Sequence, residues 1–207
     1  MNAAEARRYH HGDLPNALRQ AARDVIAERG LGDFSLREVA RRAGVSHTAP
    51  AHHFGDVEGL LTSLATDGFR TLSEAMEQAL AGIDDPVERL VVMGQTYVEF
   101  AGARPADCDV MFRVDVVDPD DPHLAEAGLR AHAILEDTVR ELIESEQLAA
   151  EVPVVTSLCW AMVQGLVVLG PKLDVACEVR GEPLQPRAEL VRTFTQYLVD
   201  GLRTRHR

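Results

Sequence analysis

The chain has 207 residues, of which 46% are hydrophobic and 26% charged, a composition typical of a folded globular protein and unlike that of disordered or collagen-like chains. Its three cysteines, Cys108, Cys159 and Cys177, lie too far apart for a short-spaced zinc site and are odd in number for a disulfide framework. The formal net charge is -12, which by itself argues against a nucleic-acid-binding protein. Because the polar N-terminus lacks the apolar core of a signal peptide, we expect a cytoplasmic protein.

The negative charge is confined to the C-terminal two-thirds of the chain. Residues 1–70 hold nine Arg against nine acidic residues, with five of the eight His, whereas residues 71–207 hold twelve Lys and Arg against 24 acidic residues. This charge distribution is compatible with an N-terminal DNA-binding module that carries Arg, followed by an acidic domain that stays away from phosphate. An ordinary acidic protein with an uneven composition shows the same division, so charge alone leaves both interpretations open.

Hydrophobic periodicity predicts an all-α chain of about nine helices. In the first, apolar residues from Leu14 to Ile26 recur at helical spacing. Asp13 can cap the start of this helix, and Gly30 can end it after Arg29. The sequence therefore predicts helix 1 from Leu14 to about Arg29.

Two short helices follow the first one. Ser35 and Glu38 form a capping box at the start of the second helix, and Gly44 can end it. Ser46 can cap the third helix, in which Pro50 is tolerated only within or close to the first turn. The predicted ranges are 36–43 and 47–53.

Six further helices are predicted in the remainder of the chain. Residues 105–117 fit a strand as well as a helix, but no second strand is near in sequence to pair with, so we favour a short helix. Residues 152–171 are uncharged over nearly the length of a bilayer span. Because Pro153 and Gln164 interrupt this stretch, a helix covered by its own domain and by a partner subunit is the better interpretation. Residues 170–186, rich in Gly and Pro, predict an irregular link. The six helices run from Asp56 to about Gly82, from Pro86 to about Ala103, within 105–117, from His123 to about Leu148, over 152–169, and from Arg187 to Arg203.

The first three helices match the helix-turn-helix pattern. Two short helices are joined by the turn 43–46, which contains a Gly, and a longer helix backs them. Such an arrangement holds the third helix at the surface, where its side chains can enter a major groove, while helix N-termini and basic residues bind phosphate. We therefore expect DNA contacts from Ser35, Arg37, Arg41, Ser46, His47, Thr48, Pro50, Ala51, His52 and His53.

Competing interpretations of the chemistry are weaker. Neighbouring histidines at 10–11 and 52–53 suggest a metal, but adjacent residues on a helix point about 100° apart, and no acidic or thiol partner lies at ligand spacing. No nucleophile elbow, paired-carboxylate spacing or Gly-rich phosphate loop is present, and Cys159 lies in the most apolar helix. We therefore expect no enzyme activity, no metal and no cofactor.

A set of apolar and aromatic residues in the C-terminal part can line a small-molecule pocket, since such pockets are mostly apolar with a few placed polar groups. The same stripe also fits an ordinary core. Gln164 is the most informative member, because a polar side chain on an apolar helix needs a partner, which a ligand or an internal hydrogen bond can supply. The candidates are Met93, Tyr97, Phe100, Met111, Phe112, Trp160 and Gln164.

Three runs of residues together resemble the DNA-binding domain of TetR-family transcriptional regulators. They are Ser35 to Ser46, His53-Phe54-Gly55-Asp56 and Glu58-Gly59-Leu60-Leu61, and the resemblance extends over residues 12 to about 70. The opening Tyr9 to Leu14 looks like one branch of the family. Trp160 with Gln164-Gly165 is similar to the Trp-x-x-x-His-Gly signature of that branch, with Gln in place of His. The chain departs from the family at Ala51 and Val57, where Tyr and Lys are usual.

The resemblance implies an N-terminal arm (1–11), a DNA-binding domain (12–71) and a C-terminal effector-binding and dimerisation domain (72–207). It also implies a homodimer formed through the helices at 152–169 and 187–203, a palindromic operator, and a repressor released by a small-molecule effector. The alternative is a helical interaction or ligand-binding protein with a weakened DNA-binding head. We expect neither interpretation to involve a membrane.

Overall fold

The computed structural model describes residues 13–204 and, over these residues, contains nine α-helices and no β-strand. The predicted all-α class is confirmed. The predicted N-terminal arm (1–11) and the histidine pair at 10–11 lie outside the described residues. The helices are α1 (Leu14–Arg29), α2 (Leu36–Ala43), α3 (Ala49–Phe54), α4 (Val57–Leu80), α5 (Pro86–Ala103), α6 (Pro105–Met111), α7 (Pro122–Ser145), α8 (Val152–Arg180) and α9 (Arg187–Thr204).

The third helix begins two residues later than predicted. The Ser46 hydroxyl lies 3.1 Å from the Thr48 hydroxyl, and the helix has Thr48 at its N-cap without a side-chain capping bond. The predicted cap at Ser46 is therefore wrong, because the chain first makes a turn in which the Ala49 N–H donates to the Ser46 carbonyl at 3.0 Å. Pro50 lies in the first turn, where its missing N–H costs no helical hydrogen bond.

The predicted irregular link at 170–186 is wrong over its first eleven residues, since α8 continues through Pro171 to Arg180. A contact from α9 supports this continuation. A Cβ on Gly170 would lie 2.5 Å from Nη2 of Arg187, and the same atom donates to Asp174 at 2.8 Å. A proline inside a helix kinks it or removes a hydrogen bond, and here tertiary contacts hold the turn that follows.

The described chain divides into two compact units. The first contains the described residues up to Phe69 together with Arg104–Ala127. The second contains Arg70–Ala103 and the described residues from Gly128 onward. The domain boundary predicted at 71/72 stays a prediction, and the segment that contains α6 groups with the first unit.

The core of the first unit is built on α1. One face of this helix is fully buried, and α1 packs against both α2 and α6. Burial of each large aliphatic side chain stabilises the fold by about 1.5–3 kcal/mol. This packing holds α2 and α3 in place as a rigid module. Its buried residues include Leu18, Ala22, Val25, Val39, Ala40, Leu60 and Leu64.

In the second unit, α5 packs against α8 and α9. Gly94 marks the closest approach, because an added Cβ would lie 2.7 Å from Cγ1 of Val191 and 3.1 Å from Cγ1 of Val163. An apolar cluster fills the interior of this unit. Its buried members are Leu90, Val139, Leu142, Leu148, Val155, Cys159 and Val199.

Candidate nucleic-acid interface

The helix-turn-helix forms as local sequence signals predict. The Ser35 hydroxyl accepts a hydrogen bond from the Glu38 N–H at 3.4 Å and so caps α2. At the other end, Gly44 has a φ of 68° in the left-handed region, a conformation that costs little only for glycine. The Gly44 and Val45 amides close the end of α2 by donating to the Arg41 and Ala40 carbonyls. The chain then turns and presents α3.

Nine of the ten residues predicted to contact DNA are exposed. The exception is Pro50, which is buried, so its side chain faces the interior of the first unit and is unavailable to DNA. The structure thus leaves one surface that spans the start of α2, the turn and α3. Its exposed members are Ser35, Arg37, Arg41, Ser46, His47, Thr48, Ala51, His52 and His53.

A cavity of about 730 Å³ lies beside the turn. It brings together residues from the end of α1, from α2 and from the start of the segment leading to α3. Its lining side chains include three arginines and one carboxylate, that of Glu38, so the formal charge of the lining is positive at the predicted DNA-facing surface. Four predicted DNA contacts lie in its wall: Ser35, Arg37, Arg41 and His47.

A single carboxylate, Glu38, organises the arginines around this cavity. Arg41 donates to it through Nε at 2.9 Å and Nη2 at 2.7 Å. Arg29 lies 3.1 Å away and Arg42 3.4 Å away, and Arg42 also donates to Glu28. The hydrogen bond from Arg41 and the surrounding positive charge lower the pKa of Glu38 to about 2. The spacing of Glu38 to Arg41 and Arg42 on one helix predicts those pairs, whereas the contact from Arg29 depends on how α1 packs.

Comparisons with known sequences identify the family. Residues 18–64 match the family described as "Bacterial regulatory proteins, tetR family", and residues 90–171 match "Tetracyclin repressor-like, C-terminal domain". The two matches together cover well over half of the chain. The chain belongs to the TetR family.

Among TetR-family sequences, the HTH-type transcriptional regulator BetI of Yersinia pestis (strain Pestoides F) is 37% identical over 75 residues, which are 35% of this chain and 38% of that protein. The chain therefore matches less than half the length of this curated relative.

Solved structures match nearly the whole chain. A protein with unknown function from Rhodococcus sp. RHA1 has a TM-score of 0.76 and 28% identity, over 94% of this chain and 97% of that one. PfmR, a TetR-family transcriptional regulator from Thermus thermophilus, has a TM-score of 0.69 and 19% identity, over 89% of this chain and 98% of that one. The fatty acid degradation regulator FadR from Bacillus halodurans has a TM-score of 0.72 and 16% identity, over 89% and 94%. The last two similarities establish a shared fold.

The first unit of this TetR-family chain holds a second charged cluster. Arg23 of α1 and Arg104 both contact the fully buried carboxylate of Asp107 in α6, and Arg23 also donates to Asp67 in α4. These hydrogen bonds compensate the cost of burying the charge. The Arg104–Asp107 pair is local, with its residues three positions apart. No local pattern predicts the contacts of Arg23, because its partners lie 44 and 84 positions away in the sequence.

The seven candidate effector residues do not gather within one unit. Met111 and Phe112 belong to the first unit, where the Phe112 ring packs edge-on against Phe69 with centroids 5.5 Å apart. The remaining five belong to the second unit. Three of these are buried and Trp160 is exposed. The five are Met93, Tyr97, Phe100, Trp160 and Gln164.

Within the second unit, the Tyr97 hydroxyl on α5 hydrogen-bonds the Gln164 side-chain carbonyl on α8. Of the two partners that the sequence allows for Gln164, the internal hydrogen bond is the one observed. It places a polar pair between two otherwise apolar helix faces.

Helix α8 exposes apolar side chains along its whole length. Among the described residues it is the one helix long and apolar enough to cross a membrane, and most of it is not buried within the single chain. On α9, Tyr197 is 73% exposed. The exposed apolar residues on α8 are Val154, Leu158, Trp160, Val168, Leu169, Leu173, Val175 and Val179.

Proposed function

We propose that the protein is a sequence-specific DNA-binding transcriptional regulator that binds a palindromic operator as a homodimer. The observation that carries this proposal is the exposed surface of α2, the turn and α3, beside a cavity lined by Arg37 and Arg41 of α2 and Arg29 of α1. The family match supports it. Sequence-specific reading of DNA needs a rigid helix that fits the major groove, and the fully buried face of α1 supplies the support for such a helix.

The proposed contacts divide into two kinds. Side chains on the turn and α3 reach base edges, with His47, Thr48 and His52 as hydrogen-bonding groups and Ala51 as an apolar contact. Ser35 and Arg37 at the start of α2 bind backbone phosphates and set the register of the protein on the duplex. Pro50 has no place in this interface, because it is buried.

The proposed dimer forms through the helices at 152–169 and 187–203. Exposed apolar side chains lie on both helices, among them Leu158, Trp160 and Tyr197, and exposed apolar patches mark interaction sites. A two-fold symmetric contact between copies buries the same patch on both. Such a dimer presents two recognition helices to the two halves of a palindrome. This arrangement also covers the uncharged stretch of α8 without a membrane, in keeping with a cytoplasmic protein.

The proposed mode of action is repression relieved by a small-molecule effector. Tyr97 and Gln164 are the polar groups we assign to the effector pocket, and Met93, Phe100 and Trp160 are its apolar lining. An effector releases DNA only to the extent that it binds the non-binding conformation more tightly. We propose no catalytic activity, metal or cofactor.

A weakened DNA-binding head is the second candidate, and the exposed Ala51 and Val57 favour it, since the usual Tyr and Lys are absent there. In that case the protein is a helical interaction or ligand-binding protein. Binding to DNA near physiological salt separates the two candidates.

The dimer and the DNA-binding function can be tested together. We expect Tyr197→Glu to convert the dimer to a monomer in sedimentation and to weaken operator binding. Leu129→Glu, at an exposed apolar residue on α7, is the matched control, and we expect it to leave both unchanged. A Tyr197→Glu variant that stays dimeric contradicts the proposed interface, while a wild-type dimer that binds no DNA contradicts the regulator.

A further inference from the structure

The Glu38 carboxylate lies among three arginines from two helices. Its side chain is only 13% exposed, whereas Arg41, which it binds most closely, is largely exposed. The pair is two-pronged: both carboxylate oxygens of Glu38 accept hydrogen bonds, from Nε and Nη2 of Arg41. Such bidentate pairs fix geometry as well as adding energy.

The contact uses one edge of the Arg41 guanidinium. Nε and Nη2 face Glu38, so the donors on Nη1 are directed elsewhere and stay available to an acceptor on DNA. Arg41 is thus held in one orientation with one edge engaged. A guanidinium fixed in this way can discriminate between acceptor geometries, which a freely rotating cation does not.

Glu38 also reduces the charge that the surface offers to phosphate. Within the part of the chain that the structure describes, Arg29, Arg41 and Arg42 all make ion pairs with it. Binding to DNA without regard to sequence comes almost entirely from cations that replace counterions on phosphates. Arginines already paired with a carboxylate contribute less to that term.

We propose that Glu38 is a positioning residue that sets the specificity of DNA binding. It orients Arg41 for the operator and withholds the charge of Arg29 and Arg41 from other DNA, whereas Arg42 is also held by Glu28. This inference rests on the proposed DNA-binding function. It assigns to Glu38 part of the difference in affinity between the operator and other DNA.

The test compares Glu38→Gln with Glu28→Gln in the full-length protein. Glu28 also pairs with Arg42, but its side chain is 59% exposed and it does not line the cavity. Binding is measured by fluorescence anisotropy to a selected operator and to a scrambled duplex of equal length, from about 50 to about 200 mM salt.

We expect Glu38→Gln to bind scrambled DNA about tenfold more tightly, with a salt slope steeper by about one to two, since each newly freed arginine adds about one phosphate contact. Its preference for the operator falls correspondingly. Glu28→Gln is expected to behave like the wild type. An unchanged salt slope in Glu38→Gln, or equal changes in the two variants, overturns the inference.

A second variant tests the orientation of Arg41 without altering Glu38. Arg41→Lys keeps the charge but cannot make the two-pronged contact. We expect it to lower the preference for the operator about tenfold, which is the size of effect expected from losing one directed contact to DNA. Scrambled DNA should be bound at least as tightly as by the wild type. Retention of the full preference overturns the inference. A wild-type protein with no operator preference instead contradicts the proposed function.

Discussion

The Nε atom of Arg23 in α1 donates to both carboxylate oxygens of Asp107 in α6, at 3.0 Å each. Asp107 is fully buried, and Arg104 contacts the same carboxylate at 3.2 Å. Burial lowers the pKa of Arg23, but the hydrogen bonds and charge attraction from Asp107 and Asp67 outweigh it and raise the pKa above its ordinary value. The helix that supports the helix-turn-helix is therefore tied by a charged contact to a segment 84 residues away.

Removing one partner of this pair should destabilise the protein. We expect Arg23→Gln to lower the free energy of unfolding by about 3 kcal/mol, because it leaves a buried carboxylate with reduced compensation. Urea unfolding followed by circular dichroism, at fixed protein concentration, measures the change. Arg113→Gln, which breaks an exposed pair with Asp115, should change stability little. An Arg23→Gln variant as stable as the wild type contradicts the role assigned to the cluster.

The close approach at Gly94 should not tolerate a methyl group. We expect Gly94→Ala to destabilise the second unit by about 1–3 kcal/mol, because the stiff side chains of Val163 and Val191 must move. Gly102, also in α5, has open space around its Cβ position, so Gly102→Ala should be neutral or slightly stabilising. Thermal unfolding of both variants decides this, and equal melting temperatures would argue against tight packing at Gly94.

Restoring a charge at the start of α4 should strengthen DNA binding. Val57 is 38% exposed where the family usually has Lys, and we expect Val57→Lys to steepen the salt slope of binding by about one. Val114→Lys adds the same charge at a residue that is 76% exposed in the same unit. If both variants change binding equally, the effect reflects net charge and not a phosphate contact.

The paired Glu38 should stabilise the protein at neutral pH and lose this effect in acid. Its folded-state pKa, about 2, lies below the ordinary value of 4.5, so the contribution is fully present above about pH 4.5 and disappears as pH falls toward 2. We expect the stability difference between wild type and Glu38→Gln to be constant from neutral pH down to about 4.5 and to shrink below it. A difference in stability between wild type and Glu38→Gln that grows as the pH falls would contradict the stabilising role of the paired Glu38.

Local signals predicted the elements that position the candidate site. The caps at Asp13 and Ser35 and the turn at Gly44 are encoded within a few residues, and the structure has them there. The burial of Pro50 was missed, because a helix of six residues is too short for periodicity to assign its faces. Contacts between near neighbours in the chain set the caps and the turn, so the sequence alone was sufficient for them.

Long-range contacts account for what the sequence did not reveal. Gly170-Pro171 is locally a helix-ending signal, and only the contact with Arg187 shows why α8 continues. The Arg23–Asp107 pair likewise joins residues that no local pattern connects. Composition indicates which residues suit an effector pocket but not whether they lie in one unit, and Met111 and Gln164 belong to different units.

The central claim is that this chain reads a DNA sequence. The most direct measurement is binding of the wild-type protein to a palindrome selected from fragments of its own genome and to a scrambled duplex of equal length, over a salt series. We expect a preference for the palindrome of about a thousandfold or more, two chains bound per palindrome, and a steep loss of affinity with salt. Equally weak binding to both duplexes, by a protein that is folded and dimeric, would contradict it.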